Sequence, residues 1–360
     1  RRLGLQLQYG AAAVLALAVF LAWGLPANRA TGGELLAAGL GRHVVGRSVG
    51  AMESHGGHFL LFLPFYVPML VCGFFPWILY LPAGLWLAWR GRLGGVWGRA
   101  LVLGWAAPFF MAMTLIQTKL PHYILPIWPA LALAAGGAIA AARRGELEPA
   151  GRKWLKAGFW MFAFVAGGGA AFFFAAPWAT PVPDFLGPAW IMGAILTGFL
   201  CWVAWRSRWG GRPAPAWGVA GWMLAAHVAL AGLALPAVEA VKIGPRLAAE
   251  LRRAAPGADV FCHGFAEPSL VFYLGQPPTQ VVTKLETDEA VAAWARAGAK
   301  GVLVAPRKRL ARLEQVVGPL GLKEAASVKG FNYSEGKWLD VVALMGGGGG
   351  ARTEGTERRP

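Results

Sequence analysis

Seven apolar stretches, at residues 8–26, 68–89, 100–117, 124–142, 155–176, 186–205 and 216–236, are longer than the helices of a water-soluble core require. About 20 residues at helical rise cross the hydrocarbon of a bilayer, so a run of about 18 or more apolar residues reads as a span. The chain is therefore read as an integral membrane protein. That reading changes the meaning of its charge. A formal net charge of +16 over 360 residues would suggest a nucleic-acid partner for a soluble domain. Beside membrane spans, Lys and Arg instead collect in cytoplasmic loops and on anionic headgroups, so no nucleic acid is expected and membrane lipids are.

Basic residues also orient the spans. Arg1, Arg2, Arg90, Arg92, Arg99, Arg143, Arg144, Arg152, Lys153, Arg206, Arg208 and Arg212 fall in one set of loops, and Arg29, Arg42, Arg47 and Lys119 in the other. The first set is expected to be cytoplasmic. Loops 27–58, 118–123 and 177–185 are then extracytoplasmic, as is everything after about residue 237. The chain opens on RRLGLQLQYG without a Met or a signal-peptide pattern, and an N-terminal truncation is expected.

The sequence divides into a partial transmembrane domain at 1–236, an α/β domain at 237–345 and a low-complexity tail at 346–360. Within the first, Pro64, Pro68, Gly73 and Pro76 interrupt the segment 59–89, which predicts a surface helix leading into a kinked span. Within the second, PRLAAELRRAA, TDEAVAAWARAG and PRKRLARLEQVVGPL predict helices, and ADVFCHG, GVLVAP and WLDVVALM predict strands. The glycine-rich tail predicts disorder. No internal repeat is visible. Cys72, Cys201 and Cys262 have no spacing that predicts a disulfide or a metal framework.

Chemistry-bearing residues concentrate in two places. The stretch TKLPHYILPIWPAL places Lys119, His122 and Tyr123 between two spans. One reading is structural: Lys119 snorkels, Pro121 breaks the helix and Tyr123 anchors at headgroup depth. The other is that Lys119 and Tyr123 face a cavity and hold an anion such as a lipid phosphate. The loop GRHVVGRSVGAMESHGGH carries Arg42, His43, Arg47, Glu53, His55 and His58. His43 and Arg47 are four apart and share a face if helical, which suits a phosphate or pyrophosphate. A solvated glycine-rich loop is the alternative. A metal site from Glu53, His55 and His58 has no recognised spacing, so no metal or other cofactor is assigned and a divalent cation stays open.

Other candidates carry less. Glu34, Glu53 and Asp184 are the few extracytoplasmic acids before the soluble domain, and Asp184 reads as a turn residue. His227 lies inside a span, where it is either functional or a packed neutral histidine. The aromatic run FLPFYVPMLVCGFFPW suits either an isoprenoid groove or an interfacial belt.

In this order, HVVGR, His58, PFYVPMLVCGFFPW and TKLPHYILPIWPALAL resemble the later part of bacterial polyprenyl-phosphate-dependent glycosyltransferases. That superfamily includes the aminoarabinose transferases of lipid A and is related to protein O-mannosyltransferases. FAEPSLVFYLG and GFNYSEGKWLDV are similar to its periplasmic domain. The resemblance implies a GT-C fold in the bacterial inner membrane with about seven spans present and the C-terminal domain periplasmic. It also implies transfer of a hexosyl or pentosyl sugar from a polyprenyl-phosphate carrier to a lipid, glycan or protein acceptor. Lys119 and Tyr123 match its KxPxY element near the lipid phosphate, and His43 and Arg47 its His/Arg element. His58, His122 and Glu53 are further candidates; at His122 some relatives have Thr. The catalytic Asp implied by the resemblance is expected upstream of this chain, which would leave the chain itself without its base. A lipid-carrier binding protein or transporter is the alternative class.

Overall fold

The computed structural model describes residues 2–46, 59–265, 267–275, 282–317, 319–333 and 336–346, without the side chains at 2–9, 42–44, 59 and 316–317. Among the described residues, six helices are long and apolar enough to cross a membrane: Gly10–Ala30, Gly95–Leu115, Pro121–Arg143, Pro149–Ala179, Leu186–Ser207 and Ala216–Glu239. Many of their outward residues are apolar. Phe164 and Leu224, for example, are exposed, as hydrocarbon solvent permits. The protein is a multi-pass membrane protein.

The stretch read as a seventh span, 68–89, is not one helix. It consists of Tyr66–Gly73, a turn containing the 3-10 helix Trp77–Leu79, and Leu81–Trp89. Pro76 and Gly73 account for the break, because one cannot donate to a helical hydrogen bond and the other favours a helix end.

Two compact units are present. The first combines residues 1–172 with 193–226. Its core is built on close backbone approach. Helix Trp128–Arg143 turns Ala130, Ala134, Ala138 and Ala141 inward, one turn apart. Gly84 of helix Leu81–Trp89 lies directly on this stripe, where a Cβ would stand 2.1 Å from the Ala134 carbonyl oxygen. Small residues let membrane helices approach this closely, and dispersion then replaces the missing hydrophobic drive. Gly158 repeats the device against the Leu79 carbonyl, at 2.3 Å. The buried Tyr80 hydroxyl donates to the Ala214 carbonyl at 2.7 Å, satisfying a polar group that hydrocarbon would not.

The second unit combines residues 173–192 with 227–360. Near its start, Trp178 and Trp190 pack at 5.8 Å beside an exposed turn in which Asp184 takes φ +55°. Asp184 is thus a turn residue. The unit holds a five-stranded sheet of β1 (Val260–Cys262), β2 (Thr283–Lys284), β3 (Val302–Pro306), β4 (Leu322–Asn332) and β5 (Lys337–Gly346). Their order is β2-β1-β3-β5-β4, with β1 parallel to β2 and β3, and β5 antiparallel to β3 and β4.

Alternation explains why both faces of this sheet are covered. Val302, Val304, Val341 and Ala343 pack with Ile243, Leu247 and Leu251 of helix Ile243–Ala254. The intervening Leu303, Val342 and Leu344 pack with Val291, Leu310 and Leu313 on the opposite face. The three predicted helices and three predicted strands are all present. Helix Pro268–Leu274 and strands β2 and β4 were not anticipated. Buried His263, just after β1, lies 2.8 Å from the Leu285 carbonyl through Nδ1, and its Nε2 accepts from Arg309 at 3.0 Å.

Candidate functional site

The Lys119 segment is shaped by its prolines. Helix Gly95–Leu115 ends at Ile116, which is extended. Leu120 is also extended, the conformation that a following proline imposes. Pro121 then opens the 3-10 helix Pro121–Ile127, and Pro129 occupies the first turn of helix Trp128–Arg143. Residues 116–120 therefore form a non-helical elbow, not a tight turn.

The elbow points Lys119 inward. The residue is only 4% exposed, so the snorkelling alternative does not describe it. Its Nζ donates to the Met113 carbonyl at 3.2 Å and to the Thr114 carbonyl, capping the helix it has just left. The same Nζ lies 5.5 Å from the centre of the Tyr66 ring. Desolvation pulls its pKa below the ordinary lysine value. Among the described residues, this ammonium contacts the two carbonyls and the Tyr66 ring, all neutral, and no carboxylate.

Tyr66 is the residue that sequence reasoning passed over. It belongs to the aromatic run but is its only Tyr, and that is the signal that marks it. The ring is fully buried, edge-on to Phe65 at 5.1 Å and to Phe110 at 6.5 Å. Its hydroxyl faces the Leu120 backbone without reaching hydrogen-bond geometry. Trp128 Nε1 is a second buried polar atom without a partner among the described residues.

The other candidates separate. Tyr123 is half-buried, packs on the membrane core and is an electrostatic neighbour of Tyr66. His122 is exposed, with its ring 5.1 Å from that of Tyr123. His43 lies in the π-helical stretch Ala37–Gly46, its side chain outside the described part. Arg47, Glu53, His55 and His58 lie outside the described residues. Glu34 is exposed at the start of the short helix Glu34–Leu36. His227 is exposed on the surface of helix Ala216–Ala229. Among the described residues no three His, Cys, Asp or Glu side chains cluster as metal ligands would.

No family profile matches the chain. A stretch of 73 residues, 20% of the chain, is 40% identical to the undecaprenyl phosphate-alpha-4-amino-4-deoxy-L-arabinose arabinosyl transferase of Edwardsiella ictaluri, covering 13% of that protein. A stretch of 69 residues, 19% of the chain, is 41% identical to the corresponding transferase 2 of Sodalis glossinidius, covering 12% of it. ArnT from Cupriavidus metallidurans bound to undecaprenyl phosphate superimposes with a TM-score of 0.56 at 19% identity, over 92% of this chain and 59% of that one. The chain has the ArnT fold. The apo state of the same ArnT gives a TM-score of 0.53 at 21% identity, over 93% of this chain and 64% of that one. In each of these comparisons the chain spans less than two thirds of its relative's length. The ArnT fold is the GT-C architecture that the sequence resemblance implied, with a small α/β domain following the membrane helices.

Proposed function

We propose that this chain is the later part of a membrane glycosyltransferase, and that Lys119, Tyr66 and Tyr123 hold the phosphate of a polyprenyl-phosphate-linked sugar. The observation that carries the reading is the buried Lys119 ammonium, whose described contacts are all neutral. An ammonium has three protons. Two are directed to the Met113 and Thr114 carbonyls, which leaves one for an anion. The likeness to ArnT and the arabinosyl transferases supports a sugar carried on undecaprenyl phosphate.

In such a transfer the acceptor attacks the anomeric carbon as its bond to the phosphate oxygen breaks. The departing phosphate gains negative charge. A cation already fixed in a poorly hydrated site stabilises that charge without reorganising. The sugar is a hexose or pentose and the acceptor a lipid, glycan or protein. His43 and Arg47 complete the anion site. The membrane is the bacterial inner membrane and the α/β domain lies on its periplasmic side. The acceptor's base is assigned to no residue of this chain.

The test is transfer of labelled sugar from a polyprenyl-phosphate donor in membranes containing the complete gene product or its Lys119→Ala variant. Loss of one preorganised donor is expected to slow transfer by about 10²-fold, with membrane insertion unchanged. Normal transfer by the variant removes Lys119 from the site.

A further inference from the structure

A concavity lies on the arginine-rich side of the first unit. A cavity of about 610 Å³ is lined by Arg152, Arg206, Arg208, Arg212 and Trp205. The rest of its wall comes from small or apolar residues such as Leu147, Leu155 and Pro213, and among the described residues no acidic side chain lines it. The two nearby carboxylates are already engaged. Glu146 accepts from Arg144 at 2.7 Å, and Glu148 pairs with Arg92. Among the described residues, none of the four lining arginines has a carboxylate partner. A general excess of Arg on one side of a membrane protein places charges on that side. It does not by itself gather four guanidinium groups around one concavity.

The loop that presents two of them is held in place. Arg208, Trp209 and Gly210 take φ of +47°, +57° and +83° in succession. Left-handed backbone is uncommon for residues with a Cβ and persists where surroundings enforce it. Here the Gly210 amide donates to the buried Ser207 hydroxyl at 3.0 Å. A Cβ on Gly210 would stand 2.7 Å from that of Phe159, and the Trp209 ring packs edge-on to Phe159 at 6.1 Å. The Arg212 amide closes the loop on the Ser207 carbonyl at 2.9 Å.

We propose that this cavity binds the phosphate of an anionic phospholipid headgroup. Guanidinium groups match phosphate oxygens in pairs. Basic pockets between membrane helices take such headgroups. The lipid source is favoured over a free phosphate by the indole of Trp205 in the cavity wall and that of Trp209 in the adjoining loop. Trp205 and Trp209 are 70% and 65% exposed, as belongs to the headgroup level of a bilayer. Arg206 lies over the Trp205 ring at 5.3 Å, tying the charge to that depth.

The test is native mass spectrometry of the delipidated full chain, titrated separately with phosphatidylglycerol, phosphatidylethanolamine and inorganic phosphate. Phosphatidylglycerol is expected to bind preferentially, and 0.5 M salt to erode the preference. Arg208→Gln with Arg212→Gln should weaken it by about fivefold per arginine removed, whereas Arg90→Gln with Arg99→Gln, on the same side but outside the cavity, should leave it unchanged. Equal loss in both double variants, or none in the cavity variant, overturns the proposal. Inorganic phosphate binding as tightly as the lipid overturns the lipid source. If the cavity variant fails to fold, wild-type preference that is indifferent to salt overturns it as well.

Discussion

The Lys119 ammonium sits 5.5 Å from the centre of the Tyr66 ring, although the two residues belong to different segments of the membrane unit. A cation over a desolvated aromatic face gains up to about 2 kcal/mol. Tyr66→Phe keeps the ring and removes only an unpaired hydroxyl, so the thermal midpoint should barely move. Tyr66→Ala removes a fully buried aromatic and should cost about 3–5 kcal/mol. If the hydroxyl serves the donor phosphate, Tyr66→Phe also weakens donor binding while stability holds. A large loss of stability in Tyr66→Phe contradicts this account.

Gly84 should tolerate no side chain. A Cβ there meets the backbone of Ala134 and Ala135, which cannot rotate aside as a side chain could. Gly84→Val is expected to push helices Leu81–Trp89 and Trp128–Arg143 apart. The loss should exceed the roughly 1–3 kcal/mol typical of overpacking, and it is read as a lower yield of folded protein and a lower midpoint in detergent. Gly136, which has nothing within 4 Å of its Cβ position, is the control; Gly136→Ala should be silent.

The α/β domain should weaken in acid. Arg307 joins helix Arg307–Val317 to β4 and β5, donating to Glu324 at 2.8 and 3.1 Å and to Asp340 at 3.1 Å. Hydrogen bonds from Arg307 hold the Glu324 carboxyl below its ordinary value. A depressed folded pKa means the contribution is whole above the unfolded value and disappears as pH falls through the folded one. The pair is about half exposed, so the effect is small. Wild type should lose slightly more stability than Glu324→Gln between pH 6 and the acid limit of the fold, as followed by denaturant titration. Parallel pH profiles would refute the linkage.

Cys262 should be chemically silent in the folded protein. Burial pushes its thiol up to about 12, and thiolate is the reacting species. Maleimide should label it only after denaturation, at a rate set by unfolding. Rapid labelling of Cys262 in the native protein would mean that β1 opens readily.

Periodicity and composition made the membrane class and the α/β pattern visible from the chain alone. A run of apolar residues is read directly by the solvent it needs, and the alternating elements 245–306 each carry their own local pattern. Strand β4 escaped because LKEAASVKGFN mixes charges with small residues; among the described residues it pairs as a strand with β5 alone, its other edge meeting one bridge at Lys242. The break at 74–80 was hinted at by Pro76 and Gly73, yet continuous hydropathy concealed its extent.

Local sequence thus determined which residues enter the bilayer, where prolines stop the helices, and that Lys119 stands between two spans. Only the tertiary structure decided that Lys119 turns inward to Tyr66, and that Arg152 of one helix meets Arg206, Arg208 and Arg212 around one cavity. The physical reason is range. Hydropathy, helix termination and strand alternation are properties of neighbouring residues. The depth of a charge and the partners of an aromatic face depend on which distant segments pack there, and that packing turns on glycines and alanines whose small size reveals nothing until another backbone lies against them.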